Sequence, residues 1–304
     1  MKDADGMETF ILYRNKKDDA VRGAVLHATQ LVNEMRGAHE LGILESLILG
    51  QSYMGALLMT RSLKGRGRLT LDIGCAGPVR GVSVEADASG DVRGYLKQTP
   101  IPLEGPLESF DTAPFFGPGI LTVSRFPDGS TKGFSGNVDL QYGNIGQDIA
   151  NYYLVSEQTR TSVSLSIKFD RQGRITGAGG LFIEALPGAS DGLLKDIEER
   201  ISSMGSLGES FASGTGRSRL IEETFAGYSP VFLEKRPVRF SCACSRERFK
   251  SFLGSMQYNE LADMAKEGPF PVVTVCHNCN TRYEFSREEM QELLKVRSSE
   301  DYST

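Results

Sequence analysis

Apolar positions from the N-terminus to Gly188 follow first a helical and then a strand period. Between His39 and Ser62, Leu41, Leu44, Ile48, Leu57 and Leu58 recur at helical spacing. This predicts a helix, although Gly42, Gly50 and Gly55 lower its intrinsic propensity. The period then drops to two. Leu69-Thr-Leu-Asp-Ile73 and Val82-Ser-Val84 alternate, and Asp87-Ala-Ser-Gly-Asp91 supplies a turn. Ile120 to Phe126 reads as another strand, closed by Pro127-Asp-Gly129, and Asp148 to Leu154 as a short helix. Val163, Leu165, Ile167 and Phe169 alternate with polar residues before Asp170-Arg-Gln-Gly-Arg174, which predicts a half-buried strand and a hairpin toward Ile175. Helices and strands mix without a regular βαβ repeat. The fold class is therefore α+β, with a mixed helix/strand core domain over residues 1–188.

From 189 to 241 the texture changes. Leu193, Leu194, Ile197, Ile201 and Met204 share one helix face, started by Ser190-Asp191 and stopped at Gly205. Residues 206–217 read as a flexible Gly/Ser stretch, and Arg219 to Ala226 as a short helix presenting Leu220, Ile221 and Phe225. Such a segment is too thin to bury its own apolar faces, so it is expected to dock on a neighbour as a helical linker. The last segment, 242–304, carries a helical pattern through Ser251 to Lys266 and a Val272 to Val275 strand.

Net charge narrows the options. At −5 formal charge the chain has no global field favouring nucleic acid or an anionic membrane. The start, Met1-Lys-Asp-Ala-Asp-Gly6, lacks the apolar core of a signal peptide, and no window approaches the roughly 18 uninterrupted apolar residues of a membrane span. Five cysteines, four of them clustered, fit a metal site in a reducing cytosol better than a disulfide framework.

Those four form two close pairs, Cys242-Ala-Cys244 and Cys276-His-Asn-Cys279, separated by the stretch 245–275. Four thiolates at about 2.3 Å complete a tetrahedral zinc shell. The predicted ligands are therefore Cys242, Cys244, Cys276 and Cys279, holding one Zn2+ per chain, with the shell complete without His277. The alternative for the same quartet is a resting redox disulfide pair. A segment as short as 242–304 rarely sustains a core without a staple. Structural zinc contributes roughly 10–16 kcal/mol in small modules, above a domain stability on the order of 5 kcal/mol. The single-residue gap in Cys242-Ala-Cys244 is unusual for a structural site. Removing two electrons from either pair makes a disulfide and deletes two ligands together, so the metal and its folding energy leave. An oxidant would thereby become exposed apolar surface, which a holdase needs.

Other chemistry is thinner. Cys75, in Gly74-Cys-Ala-Gly77, would be a nucleophile with His27 or His39 as base, or else a small buried apolar residue on a strand. Gly177-Ala-Gly-Gly180 lacks the context of a dinucleotide fingerprint, and no GxxxxGK[ST] occurs, which argues against an ATP-driven mechanism. A zinc-ribbon nucleic-acid-binding protein is the alternative reading. Residues 242–304 hold eight basic and ten acidic side chains, a balance that opposes it.

Cys242-Ala-Cys244-Ser-Arg-Glu-Arg248 and Cys276-His-Asn-Cys279 resemble the metal-binding signature of the redox-regulated 33 kDa chaperonins, the heat shock protein 33 family. Asn151-Tyr-Tyr-Leu-Val-Ser-Glu-Gln158 and Gly179-Gly-Leu-Phe-Ile-Glu-Ala-Leu-Pro-Gly-Ala189 are similar to segments of the same family. The resemblance spans essentially the whole chain. It implies a cytoplasmic, ATP-independent chaperone, not an enzyme, that is inactive when reduced and zinc-bound. Oxidation would pair Cys242 with Cys244 and Cys276 with Cys279, release zinc, loosen the 189–241 regulatory linker and favour a homodimer. Its partners would be unfolded or partly folded client proteins. Residues 242–304 would then be the redox-switch domain. No role transfers to Cys75, and the client-binding residues cannot be carried over.

Overall fold

The apolar run after His39 forms a 17-residue helix, Ile43–Met59, in which 15 residues are buried. The two glycines in its middle sit where neighbours press in. A Cβ on Gly50 would lie 2.7 Å from Ile167 Cδ1, and one on Gly55 2.5 Å from Ile149 Cδ1. Close packing offsets the propensity these glycines forfeit. With the 3₁₀ turn that follows, Ile43–Ser62 is long and apolar enough to cross a membrane by composition, yet 89% of its most apolar 18-residue window is buried inside the protein. It is a core helix.

The computed structural model describes residues 4–14, 19–103, 105–107, 109–228 and 230–301, with side chains through 297. The polar Met1–Asp3 start lies outside them. The chain divides into two compact units, Met1–Ser241 and Cys242–Thr304. In chain order the first comprises β1 (Gly6–Tyr13), β2 (Ala20–His27), α1 (Thr29–His39), α2 (Ile43–Met59), β3 (Arg68–Cys75), β4 (Gly81–Asp87), β5 (Asp91–Leu96), α3 (Ala113–Phe116), β6 (Gly119–Phe126), β7 (Phe134–Asp139), α4 (Ile145–Val155), β8 (Thr161–Phe169), β9 (Ile175–Ala185), α5 (Asp191–Ser203), α6 (Leu207–Ala212), α7 (Arg217–Thr224), β10 (Val231–Pro237) and β11 (Arg239–Phe240). The second holds α8 (Arg246–Gly254), α9 (Tyr258–Glu267), β12 (Val272–Val275), β13 (Arg282–Phe285) and α10 (Arg287–Asp301). The fold class is α+β, as expected.

One sheet of the first unit has strand order β10-β1-β2-β9-β8, the other β11-β5-β4-β3-β6-β7. Every pairing is antiparallel except β11 with β5. Leu71, Ile73, Val84 and Val123 of one sheet and Leu26 and Phe182 of the other share a core with α2, which packs against both sheets. The opposite face of the β10-β1-β2-β9-β8 sheet presents Phe10, Leu12, Val21, Val25, Leu181 and Ile183 to α5, α6 and α7. The helices of 189–241 thus lie on the first unit, their Leu193, Ile197, Leu207, Phe211, Leu220, Ile221 and Phe225 all buried there.

Two details of that docking differ from the Gly/Ser pattern. Residues 207–212 form α6 rather than a flexible stretch. Ser206 caps it, accepting from Glu209 N–H, and Leu207 and Phe211, four apart, both face the sheet. The bed for α6 is the glycine run of β9. A Cβ on Gly177 would lie 2.0 Å from the Gly208 carbonyl oxygen, and one on Gly179 2.2 Å from the Phe211 ring. Glu8 lies on the same face of β1 as Phe10 and Leu12. Its buried carboxylate accepts from Ser218 Oγ at 3.0 Å and faces Lys235 Nζ at 3.2 Å, so α7 and β10 are tied to one charge.

The segments Asn151–Gln158 and Gly179–Ala189 meet around two arginines. Arg61 reaches Glu184 and Tyr153 Oη (3.0 Å) and lies 3.7 Å over the Phe182 ring. Arg125 reaches Glu157 and the same Tyr153 hydroxyl (3.0 Å), while Tyr152 Oη donates to Glu157 at 2.9 Å. These segments supply the carboxylate and hydroxyl partners of both guanidinium groups, while the Nε of Arg61 and of Arg125 stay buried without a hydrogen bond.

Candidate metal centre

The second cysteine pair sits at the turn of the β12–β13 hairpin. Cys276 N–H donates to Thr281 O, and the N–H groups of Cys279 and Asn280 both donate to Cys276 O, winding the chain into a tight loop. Asn280 takes φ of +59°, a conformation asparagine tolerates. The first pair lies in the extended stretch ahead of α8. Ser245 caps that helix, accepting from Arg248 N–H, and the Arg248 guanidinium returns to hold the Ala243 carbonyl at 2.9 Å. Cys244 therefore precedes a helix N-terminus, a position that favours an anionic sulfur.

The structure brings all four sulfurs together: every Sγ lies within 4.8 Å of the others. Cys242 and Cys276 are 3.8 Å apart, Cys244 and Cys279 3.3 Å, and none is in a disulfide. Tetrahedral coordination at about 2.3 Å requires sulfur–sulfur edges of about 3.8 Å, so the spacing suits a metal. Exposure differs between the pairs: Cys276 and Cys279 are buried, Cys242 and Cys244 partly open. His277 lies exposed on the loop and is not part of the cluster. The four cysteines are thus a group able to bind a metal ion, compatible with zinc.

Charge argues the same way. Two thiolates 3.8 Å apart repel by about 4 kcal/mol at an effective dielectric of 20. Without a cation, the quartet therefore holds its protons unevenly. Burial, with Cys279 and Cys242 alongside, pushes the Cys276 thiol up to about 12. Burial also raises Cys279, but Thr281 and the neighbouring thiols outweigh it and bring that sulfur down to about 7. Burial raises Cys244 as well. A dication offsets this repulsion and favours the thiolate form of its ligands.

Two neighbours were not among the residues singled out from sequence. Tyr283 Oη, on β13, donates to Cys244 Sγ at 3.1 Å, and that bond raises the tyrosine's own pKa. Thr281 Oγ1 lies 3.2 Å from Cys279 Sγ. The only trace in the chain is a Thr-x-Tyr directly after the knuckle, at two and four positions past Cys279.

The remaining sequence candidates fall elsewhere. Cys75 ends β3, half-buried, its thiol pushed up by burial against the opposing pull of Gly77 N–H, Lys97 and Arg80. His27 stacks on Phe211 of α6, ring centroids 4.4 Å apart, and His39 lies 6.2 Å from the Phe240 ring. The histidines thus belong to packed contacts, and neither is among the groups that shift Cys75.

The profile of the family described as Hsp33 protein matches residues 12–286. The 33 kDa chaperonin of Thermotoga maritima is 34% identical, over 94% of this chain and 98% of its own. That of Bacillus subtilis is 31% identical, over 91% and 94%. The crystal structure of the Thermotoga maritima 33 kDa chaperonin superimposes with a TM-score of 0.83 at 32% identity, covering 97% of this chain and 99% of that one.

Proposed function

This chain belongs to the Hsp33 family of 33 kDa chaperonins, and from that premise we propose that it is a redox-regulated, ATP-independent holdase acting in the cytoplasm. The observation that carries the redox part is the convergence of four sulfurs within 4.8 Å in a small unit. In the reduced state Cys242, Cys244, Cys276 and Cys279 would hold one zinc ion, which would tie the β12–β13 hairpin to the α8 N-terminus. Under peroxide, Cys242 pairs with Cys244 and Cys276 with Cys279. Each pair gives two electrons to one peroxide, which takes two protons and leaves as two waters, so two peroxides consume the four ligands, two at a time. The unit 242–304 then loses its anchor.

The consequence passes along the backbone. Ser241 N–H donates to Val92 O at the edge of a sheet, and the next residue is Cys242, so no spacer separates the metal ligands from the 189–241 segment. Melting of 242–304 loosens that segment, and α5, α6 and α7 leave the sheet. Phe10, Leu12, Val21, Val25, Leu181 and Ile183 become available to partly folded clients, and oxidised chains associate as dimers. Zinc content and suppression of aggregation of a thermally unfolded client, before and after peroxide with mild heat, test this. Zinc retained after oxidation, or zinc lost without suppression, would sink it.

A further inference from the structure

Each cysteine pair contains one sulfur that meets a hydroxyl and one that, among the described residues, does not. In the first pair Cys244 accepts from Tyr283 Oη at 3.1 Å, while Cys242 touches Cys276 Sγ. In the second, Cys279 lies 3.2 Å from Thr281 Oγ1, while Cys276 receives only the backbone N–H of Asn278 and the neighbouring sulfurs. Once these sulfurs are thiolates, the hydroxyls are the donors. Both hydroxyls are firmly placed. Tyr283 stands in register opposite Thr274 and its ring packs 5.0 Å from Phe249, and Thr281 closes the knuckle by accepting Cys276 N–H on its carbonyl.

We propose that Tyr283 and Thr281 are positioning residues that set the peroxide sensitivity of the two pairs separately, Tyr283 restraining Cys242–Cys244 and Thr281 restraining Cys276–Cys279. The proposal rests on the redox reading above. In the oxidation a thiolate sulfur attacks one peroxide oxygen, the O–O bond breaks, and the departing hydroxide takes a proton from solvent. The second thiolate of the pair then attacks the sulfenic sulfur and forms the S–S bond, expelling a second hydroxide that also leaves as water. An O–H bond to the thiolate draws on the lone pair that must attack, and it is weakened on the way to the transition state. A charge-assisted hydrogen bond, scaled by a Brønsted coefficient of about 0.4–0.5, corresponds to about a three- to tenfold restraint on rate.

The test is crossed. Reduced, zinc-loaded full-length protein is mixed with peroxide, sampled over time and differentially alkylated, and each pair is followed by mass spectrometry while a chromogenic chelator reports zinc. Tyr283→Phe keeps the ring against Phe249 and removes only the hydroxyl; it is expected to speed disulfide formation at Cys242–Cys244 about three- to tenfold relative to Cys276–Cys279. Thr281→Val is expected to shift the ratio the other way. A variant that merely loosens the site speeds both pairs together, and that outcome overturns the proposal, as does an unchanged ratio. If both disulfides form in the natural protein but the ratio ignores both hydroxyls, the redox reading survives without this inference. If no disulfide forms at all, both fall.

Discussion

Arg61 is only 3% exposed at its side chain, lies over Phe182, and shares Glu184 with the more open Arg22. Arg61→Met removes one of two cations from a carboxylate that is itself 7% exposed. Because Arg22 remains, the expected loss is about 2–3 kcal/mol in denaturant unfolding, below the roughly 3–5 kcal/mol that follows when no partner is left. Pairing it with Glu184→Met is expected to recover most of that loss. A single variant as stable as the natural chain would show the ion pair to be idle. Glu157 makes a pH-dependent case. Burial raises its carboxyl, but hydrogen bonds from Arg125 and Tyr152 outweigh this and hold it below the usual carboxylate range. A depressed folded-state value means stability present above the unfolded value of about 4.3 and lost as pH falls through the folded one. Glu157→Gln is therefore expected to melt below the natural chain near neutrality, with the gap closing below about pH 4. A gap constant across that range would remove the network from the account.

Elements are positioned by what their glycines admit. Gly177 and Gly179 lie under α6, and a Cβ at Gly177 would meet the Gly208 carbonyl oxygen at 2.0 Å and Ala212 N at 2.7 Å, both backbone atoms unable to yield. Gly177→Ala therefore lifts α6 and withdraws Phe211 from Gly179 and His27, while every cysteine stays in place. On the redox reading it is expected to suppress client aggregation while still reduced and fully zinc-loaded, with raised binding of an apolar dye. A variant that binds dye yet leaves aggregation untouched would show that α6 does not cover the client surface. This helix also marks where sequence pattern stops informing. β3, β6, β8 and α5 are legible because their apolar residues recur at a steady period, and α2 because its apolar run is long enough for a helix buried nearly all round. The α6 segment is a short piece of Ser/Gly-rich chain whose helicity comes from Leu207 and Phe211 meeting a glycine bed on a distant strand, β9. β2 escapes for the opposite reason: Ala20–His27 is buried on both faces, so its positions do not alternate. At the metal site the four cysteines are legible from spacing alone. Tyr283 and Thr281 are not, because a hydroxyl aimed at sulfur leaves no period or motif.

At the scale of the whole molecule, the two units differ in what keeps them folded. Met1–Ser241 has a continuous core through two sheets and α2, with a second apolar layer under α5, α6 and α7. Among the described residues, Cys242–Thr304 buries six apolar side chains in its own core: Leu253, Leu261, Ala265, Val272, Phe285 and Met290. That is a thin core for a unit of this size, and a metal held by the four cysteines would supplement it. The molecule then should not unfold as one cooperative system. Removing the metal from reduced protein with a strong chelator is expected to raise backbone amide exchange throughout 246–297 while α2, β3 and β9 stay protected. Exchange in α5, α6 and α7 separates two possibilities that chelation alone leaves joined. If those helices open on metal loss without any oxidant, the metal is the latch and the disulfides act by discarding it. If they stay protected until peroxide forms both disulfides, the strain of oxidised cysteine pairs does the work. A metal-free 242–304 that remained protected would overturn the staple itself.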